Sequence, residues 1–384
     1  MTLRLPRAGG RLEDYELGEP VAFAVPAGPP ASRVALAAAH VVVDPFACEP
    51  AGPAVVDWET TLAFRRHLWE YGLGVAEAMD TAQRGMGLDW PAARELIRRS
   101  AREAQACGGR IAAGAGTDHA DPAQLRSAAD VRRAYELQCA FVEGEGAQTI
   151  VMASRALAAV ARGPEDYHEV YGALLSGLER PGILHWLGDM FDPALHGYWG
   201  ASELGEAADV MLSIIAAHAD KVDGVKVSLL DAGREVELRR RLPDGVRLYT
   251  GDDFNYPELI AGDERGHSDA LLGVFDPIAP AAAAALAALD AGDRAAYDRI
   301  FEPTVPLARK LFEAPTFNYK TGIVFLAYLN GHQDHFRMVG GLESARSVVH
   351  LADLVVLADR AGLLRDPALA AARARHVLAL AGVA

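Results

Sequence analysis

The chain has 384 residues, of which 51% are apolar and 23% charged, enough to bury a large core and too apolar for a disordered tail. Its 52 acids against 37 bases leave a net charge of −15, which opposes binding to duplex nucleic acid or to an anionic bilayer. Three well-separated cysteines, Cys48, Cys107 and Cys139, show neither a disulfide framework nor a zinc spacing and fit a reducing compartment.

Residues 1–33 read as an N-terminal extension, with Pro6, Pro20, Pro26, Pro29 and Pro30 among scattered charges. They lack the continuous apolar run of a secretory leader, so a cytoplasmic location is expected. From residue 34 short β-branched or small apolar runs alternate with amphipathic stretches, the pattern of repeated strand–helix units around a parallel sheet. Eight strands are predicted: Val34–Val43, Leu73–Met79, Arg110–Ala115, Gln148–Met152, Gly182–Leu187, Gly224–Leu229, Val246–Thr250 and Ala270–Phe275. Helices are expected between them, among them Trp58–Tyr71, Trp90–Cys107, Ala123–Gly144, Asp166–Leu178 and Glu203–Ala219.

Eight such units predict an α/β fold, a (β/α)8 TIM barrel over residues 34–280. A doubly wound sheet would carry a glycine-rich phosphate loop after its first strand, where this chain reads Asp44-Pro45-Phe46-Ala47. The most apolar window, Ala270–Leu289, is interrupted by Asp276, Pro277 and Pro280, which excludes a bilayer span there. After residue 280 the strand signals cease, and residues 281–384 read as an alanine-rich C-terminal helical extension packed on the barrel.

Chemistry in such a barrel sits where strands end and the following loops begin. Lys226 stands inside the run Val225-Lys226-Val227-Ser228, one of only four lysines (Lys221, Lys226, Lys310, Lys320) among 37 basic residues. Alternation puts Val225, Val227 and Leu229 on one face and Gly224, Lys226 and Ser228 on the other. With the valines under the outer helices, Lys226 points into the barrel, the one cationic side chain the pattern aims there. Desolvation favours its neutral, nucleophilic amine, which can condense with a carbonyl; a structural ion pair is the competing reading. His185, leaving the fifth strand with Asp189, is a candidate for proton transfer. Asp252 and Asp253, after the seventh strand, either bind a ligand or cap the following turn. His332, Asp334 and His335 have the chemistry of metal ligands but lie far from any strand end, and a polar loop is the simpler reading.

The lysine within the sixth strand and Gly251-Asp252-Asp253 after the seventh resemble the Schiff-base aldolase superfamily of dihydrodipicolinate synthase and N-acetylneuraminate lyase. Pro315, Asn318 and Lys320 follow in an order like that family's tail. The resemblance covers roughly residues 34–330 and implies imine formation on Lys226. The family's Gly-Thr-Thr-Gly-Glu after strand two is replaced by Asp80-Thr81-Ala82-Gln83-Arg84. Its Thr-Pro-Tyr-Tyr-Asn loop is replaced by Met152-Ala153-Ser154-Arg155-Ala156, which has no relay tyrosine, and its fifth-strand Tyr-Asn falls on His185-Trp186. The pattern as a whole is most similar to the DUF993 family.

Together these readings predict a carbon–carbon or carbon–oxygen lyase with Lys226 and His185 as catalytic residues. Asp80, Thr81, Ser154, Asp189, Ser228, Gly251, Asp252 and Asp253 form the expected substrate-binding set. The substrate class is a 2-oxo acid or a sugar-like keto compound. Neither cofactor nor metal is expected, and a homo-oligomer is. The alternatives are a metal-dependent sugar isomerase or epimerase with ligands among Asp44, His119, His185, Asp189 and Asp252, and a barrel that binds a small molecule without turnover.

Overall fold

The computed structural model describes residues 1–50, 52–80 and 82–383. A short antiparallel hairpin comes first, formed by β1 (Thr2–Arg7) and β2 (Arg11–Glu16). Eight parallel strands then close into a barrel: β3 (Ala35–Ala38), β4 (Gly74–Glu77), β5 (Ile111–Ala115), β6 (Gln148–Val151), β7 (Gly182–Leu187), β8 (Val222–Ser228), β9 (Arg247–Thr250) and β10 (Asp269–Leu272). Neighbours pair in chain order and β10 pairs with β3, so the architecture is the predicted (β/α)8 barrel.

Every predicted strand is present, several of them shorter than expected. The first ends at Ala38 because the chain then leaves the ladder: the His40 N–H donates to Asp276 at 2.7 Å and the Val42 N–H donates to Thr61 Oγ1 at 3.1 Å. Alternation sorts the side chains into two layers. Leu36, Ala38, Ala76, Ala112, Ile150, Ile183, Tyr249 and Leu271 pack together in the barrel interior. Val75, Val151, Leu184, Val225, Val227 and Leu248 join the larger core between sheet and helices.

The helices are fixed at their starts by side-chain caps. Asp57, Asp89 and Ser127 accept from Thr60, Ala92 and Asp130 N–H groups to open Trp58–Glu70, Trp90–Cys107 and Ala128–Gly144. The first two helices are locked to β4 by a buried fork. Arg65 donates from Nε and Nη2 to the two oxygens of Glu77 at 2.9 and 2.8 Å, and Ser100 Oγ donates to Glu77 at 2.6 Å.

The helix Ala279–Asp290 follows β10 directly, in the place of an eighth barrel helix, and spans the division at residue 280 drawn from the sequence. Beyond it come Arg294–Phe301, Thr304–Leu311, Tyr319–Leu329, Val348–Arg360 and Pro367–Leu380. Tyr319–Leu329 is buried at every position, its largely apolar sequence interrupted only by Lys320 and Thr321 in the first turn. Val348–Arg360 packs on Thr304–Leu311, on Tyr319–Leu329 and on β1. The hairpin is tied to that helix by Arg7–Asp353 at 3.1 Å and by Tyr15 Oη donating to Asp359 at 2.7 Å. No described helix is long and apolar enough to cross a membrane.

Candidate active site

Lys226 lies in the middle of β8, with His185 of β7 as its cross-strand neighbour. The local sequence explains the orientation. Val225 and Val227 pack outward, and Gly224 below leaves room for the ring of Tyr249, whose Cε2 would sit 2.7 Å from a Cβ at that position. Gly251, on the neighbouring strand end, is equally constrained: a Cβ there would meet Ser228 Oγ at 2.2 Å and Lys226 Cε at 2.8 Å. The interior therefore has three stacked levels along β8, with Tyr249 filling the lowest, Lys226 the middle and Ser228 the mouth.

Lys226 is 6% exposed, and its one side-chain polar contact among the described residues is a long Nζ to Met79 Sδ approach at 3.8 Å. No carboxylate is in ion-pair contact with it among the described residues. Burial is the largest influence on the amine and pulls its pKa below the ordinary lysine value; the nearby Asp80 and Asp253 oppose that fall and Lys320 adds to it. Asp253 is pushed the other way, up to about 7, again chiefly by burial. It is anchored by the Val274 N–H, which donates to Oδ1 at 2.7 Å.

Asp80 holds the far side of the cavity. It accepts from the Tyr319 hydroxyl on one oxygen and forms an ion pair with Lys320 Nζ at 2.5 Å on the other. Lys320 also donates to the Ala38 carbonyl at 2.8 Å. The expectation of a single interior cation is thus corrected: a second ammonium enters from the C-terminal helix, but it is neutralised by Asp80 while Lys226 is not. Burial and Asp80 raise the Tyr319 phenol well above its ordinary value, which keeps it protonated and a donor.

His185 is buried, with Nε2 at 3.3 Å from Ser228 Oγ and Nδ1 without a hydrogen-bond partner among the described residues. Burial, then Lys226, drives its pKa well below 6.5, so the imidazole is neutral. Met79, Leu187, Phe191, Gly273 and Phe312 complete the walls, around a cavity of only about 10 Å³, room for about one water.

The structure therefore brings together Lys226, His185, Asp80, Ser228 and Asp253, with Gly251 making space for them. Three expected members do not line this cavity. Ser154 caps the helix Arg155–Val160 and bonds Thr117 Oγ1 at 2.7 Å. Asp189 is exposed beside His196 at 3.1 Å. Asp252 is spent on its own turn, accepting from the Phe254 and Asn255 N–H groups at 2.9 and 3.0 Å. Thr81 lies outside the described residues.

The ligand set of the metal-dependent alternative is likewise dispersed. His119 bonds Gln138, Asp44 caps its own loop, and no group of three or more His, Cys, Asp or Glu among the described residues is placed to hold a metal. Asp334 pairs with Arg373 and His335 accepts from the Arg337 N–H, as in a polar loop. The residues the sequence reading missed are Tyr319 and, as a participant, Lys320. Their signal was the scarcity of lysine, since Lys320 is one of four.

A closed parallel barrel with an unpaired amine on its sixth strand, faced by carboxylates, defines a (β/α)8 protein with a buried-lysine centre. The chain belongs to the family described as "Protein of unknown function (DUF993)", which matches residues 3–383. No curated protein matches its sequence. Among solved structures it is similar to dihydrodipicolinate synthase from Aquifex aeolicus, at 14% identity and TM-score 0.64, over 86% of this chain and 99% of that one. It is also similar to YagE from E. coli K12, a member of the dihydrodipicolinic acid synthase family determined in complex with pyruvate, at 12% identity and TM-score 0.66, over 87% and 99%. The pyruvate complex of the Acinetobacter baumannii synthase matches at 17% identity and TM-score 0.62, over 87% and 100%. At these identities the likeness is one of fold.

Proposed function

We propose that the protein is a Schiff-base-forming lyase or aldolase that acts on a 2-oxo acid or a sugar-like keto substrate through an imine on Lys226. The observation that supports this reading is the buried amine of Lys226, free of any ion pair among the described residues while the neighbouring Lys320 is paired. A lysine kept only for structure would be expected to find the carboxylate that Lys320 found.

In this mechanism the uncharged Nζ adds to the substrate carbonyl carbon, and the carbonyl oxygen leaves as water after taking up two protons, one from solvent-exchanging groups and one from the amine. For carbon–carbon cleavage the resulting iminium takes up the electron pair of the bond between its alpha and beta carbons while a base removes the beta-hydroxyl proton, so that the beta carbon leaves as a carbonyl compound and an enamine remains. A proton delivered to the enamine carbon restores the iminium, and water hydrolyses it to free the product and the amine. For carbon–oxygen cleavage a base first removes the alpha proton to give the enamine, which expels the beta oxygen with its electron pair, protonated as it leaves, and an unsaturated iminium remains for water to hydrolyse. Tyr319, bonded to Asp80, is positioned to relay these protons in place of the relay tyrosine lacking from the loop after β6. His185, neutral and with Nδ1 uncommitted, is a second proton acceptor.

The test is exchange of the C3 protons of pyruvate and longer 2-oxo acids in D2O, followed by proton NMR, with ketoses in parallel. The wild-type protein is expected to accelerate exchange of at least one of them, and Lys226→Ala to abolish that acceleration. A folded wild-type protein that accelerates none of them would overturn the reading.

A further inference from the structure

A second cleft, of about 320 Å³, lies between the outer helices and the N- and C-terminal segments and shares no lining residue with the lysine cavity. Its volume is in the range that holds a small organic molecule. The apolar wall is built by Val21 and Phe23 of the N-terminal extension, Phe64 and Tyr71 at the first barrel helix, and Pro277 and Leu326.

Three polar side chains of the cleft, His67, His332 and Arg365, make no hydrogen bond to a described residue. His67 and His332 face one another with ring centroids 4.5 Å apart, and neither ring makes a hydrogen bond to a described residue. Both are held neutral, His67 with its pKa lowered to about 4 and His332 to about 2, mainly by burial, with Arg365 adding to the effect in each. Arg365 stands at the rim, its guanidinium lying over Gly331, where a Cβ would meet Nη2 at 3.2 Å. It makes no ion pair or side-chain hydrogen bond with any described residue; only its backbone N–H is bonded, to Asn330 Oδ1 at 3.1 Å. The one carboxylate at the cleft, Asp276, is already consumed by the backbone N–H and the Nδ1 of His40, at 2.7 and 2.9 Å.

A guanidinium and two imidazoles without acceptors, above an aromatic wall, call for an anion with an apolar body. The presence of Asp276 at the floor disfavours a doubly charged phosphate and favours a single negative charge. We infer that this cleft binds a small organic monocarboxylate with a compact aromatic or branched body, its carboxylate on Arg365 beside His67 and His332 and its body against Phe23, Phe64 and Leu326. Arg365 supplies the charge-assisted hydrogen bond, which a neutral analogue cannot accept with the same strength. This inference concerns a different cavity from the imine centre and stands whether or not Lys226 is a nucleophile.

The test is calorimetric titration of the full chain with phenylacetate and with phenylacetamide, using wild type, Arg365→Ala and Lys226→Ala. Phenylacetate is expected to bind saturably, the amide at least about tenfold more weakly, and Arg365→Ala to lose at least about tenfold in phenylacetate affinity. Lys226→Ala is expected to bind phenylacetate as wild type does. Because Arg365 is exposed and unpaired, its removal is expected to leave the circular dichroism spectrum and the melting temperature unchanged. Absence of saturable phenylacetate binding, equal affinity for the amide, or retention of affinity in Arg365→Ala would overturn the inference. Loss of binding in Lys226→Ala would do so as well, by placing the ligand in the barrel.

Discussion

A methyl group at Gly251 would press on both Ser228 Oγ and Lys226 Cε, so the absence of a side chain there is what lets a long amine and the hydroxyl above it fit side by side with the neighbouring strand end. The amine so accommodated is desolvated with no ion-pair partner among the described residues and only partial relief from the field of Asp80 and Asp253, which is a cost in stability. Lys226→Met, close in shape and without the polar head, is accordingly expected to stabilise the fold by about 1–3 kcal/mol, read as a higher urea midpoint at an unchanged slope. A lower midpoint would mean that the amine has a partner worth more than its burial costs. Tyr319→Phe keeps the packing against Phe312 and removes only the hydroxyl that meets Asp80. It is expected to slow C3 proton exchange by about 10²–10⁴-fold while leaving imine formation on Lys226 intact. Equal loss of both would assign the phenol to positioning rather than to proton relay.

Among the elements, β8 was legible because its valines alternate with a lysine, and only a two-residue period explains that spacing. Elsewhere in the barrel, β4, between β3 and β5, carries Glu77 outward into the fork with Arg65, fully buried on both sides. Glu77→Ala strands that guanidinium and is expected to cost about 3–5 kcal/mol in chemical denaturation, far more than removal of an exposed acid such as Asp298. On the helix Ala232–Arg239, Glu235 bridges β9 and β10 by accepting from Thr250 Oγ1 and Ser268 Oγ, at 2.9 and 2.7 Å. Burial raises its pKa to about 8, from 4.5. The native state then retains a proton that the unfolded chain has already released, so this group's contribution is full below pH 4.5 and is lost as the pH rises through about 8. Glu235→Gln is expected to gain stability relative to wild type as the pH is raised across that window. A difference between the two proteins that is flat with pH would contradict the raised value.

At the scale of the whole molecule, the barrel strands announce themselves by composition and period, whereas the pieces that complete the site come from elsewhere. Tyr319 and Lys320 begin a helix whose remaining sequence reads as buried apolar surface, and nothing local tells that its first turn reaches the lysine cavity. Their place is set by long-range packing, with Phe312 against Tyr319 and Lys320 reaching the Ala38 carbonyl. Ser154, Asp189 and Asp252 looked equivalent to Asp80 in sequence because each follows a strand; they differ in that their own loops or a neighbouring side chain take up their oxygens, a use that residue type does not encode. The hairpin of β1 and β2 was missed for the opposite reason. Leu3 and Leu5 alternate with Arg4, and Gly9 and Gly10 make the turn, but Pro6 and the crowd of following prolines masked the period. The apolar run in Leu342–Ala361 is largely covered within the chain by this hairpin and by the neighbouring helices. The proposed imine is assigned to Lys226 rather than to Lys320. Borohydride reduction in the presence of the 2-oxo acid that shows proton exchange, followed by peptide mass mapping, tests this most directly: the account predicts the reduced adduct on the peptide bearing Lys226 and none on that bearing Lys320, and an adduct on Lys320, or on neither, would contradict it.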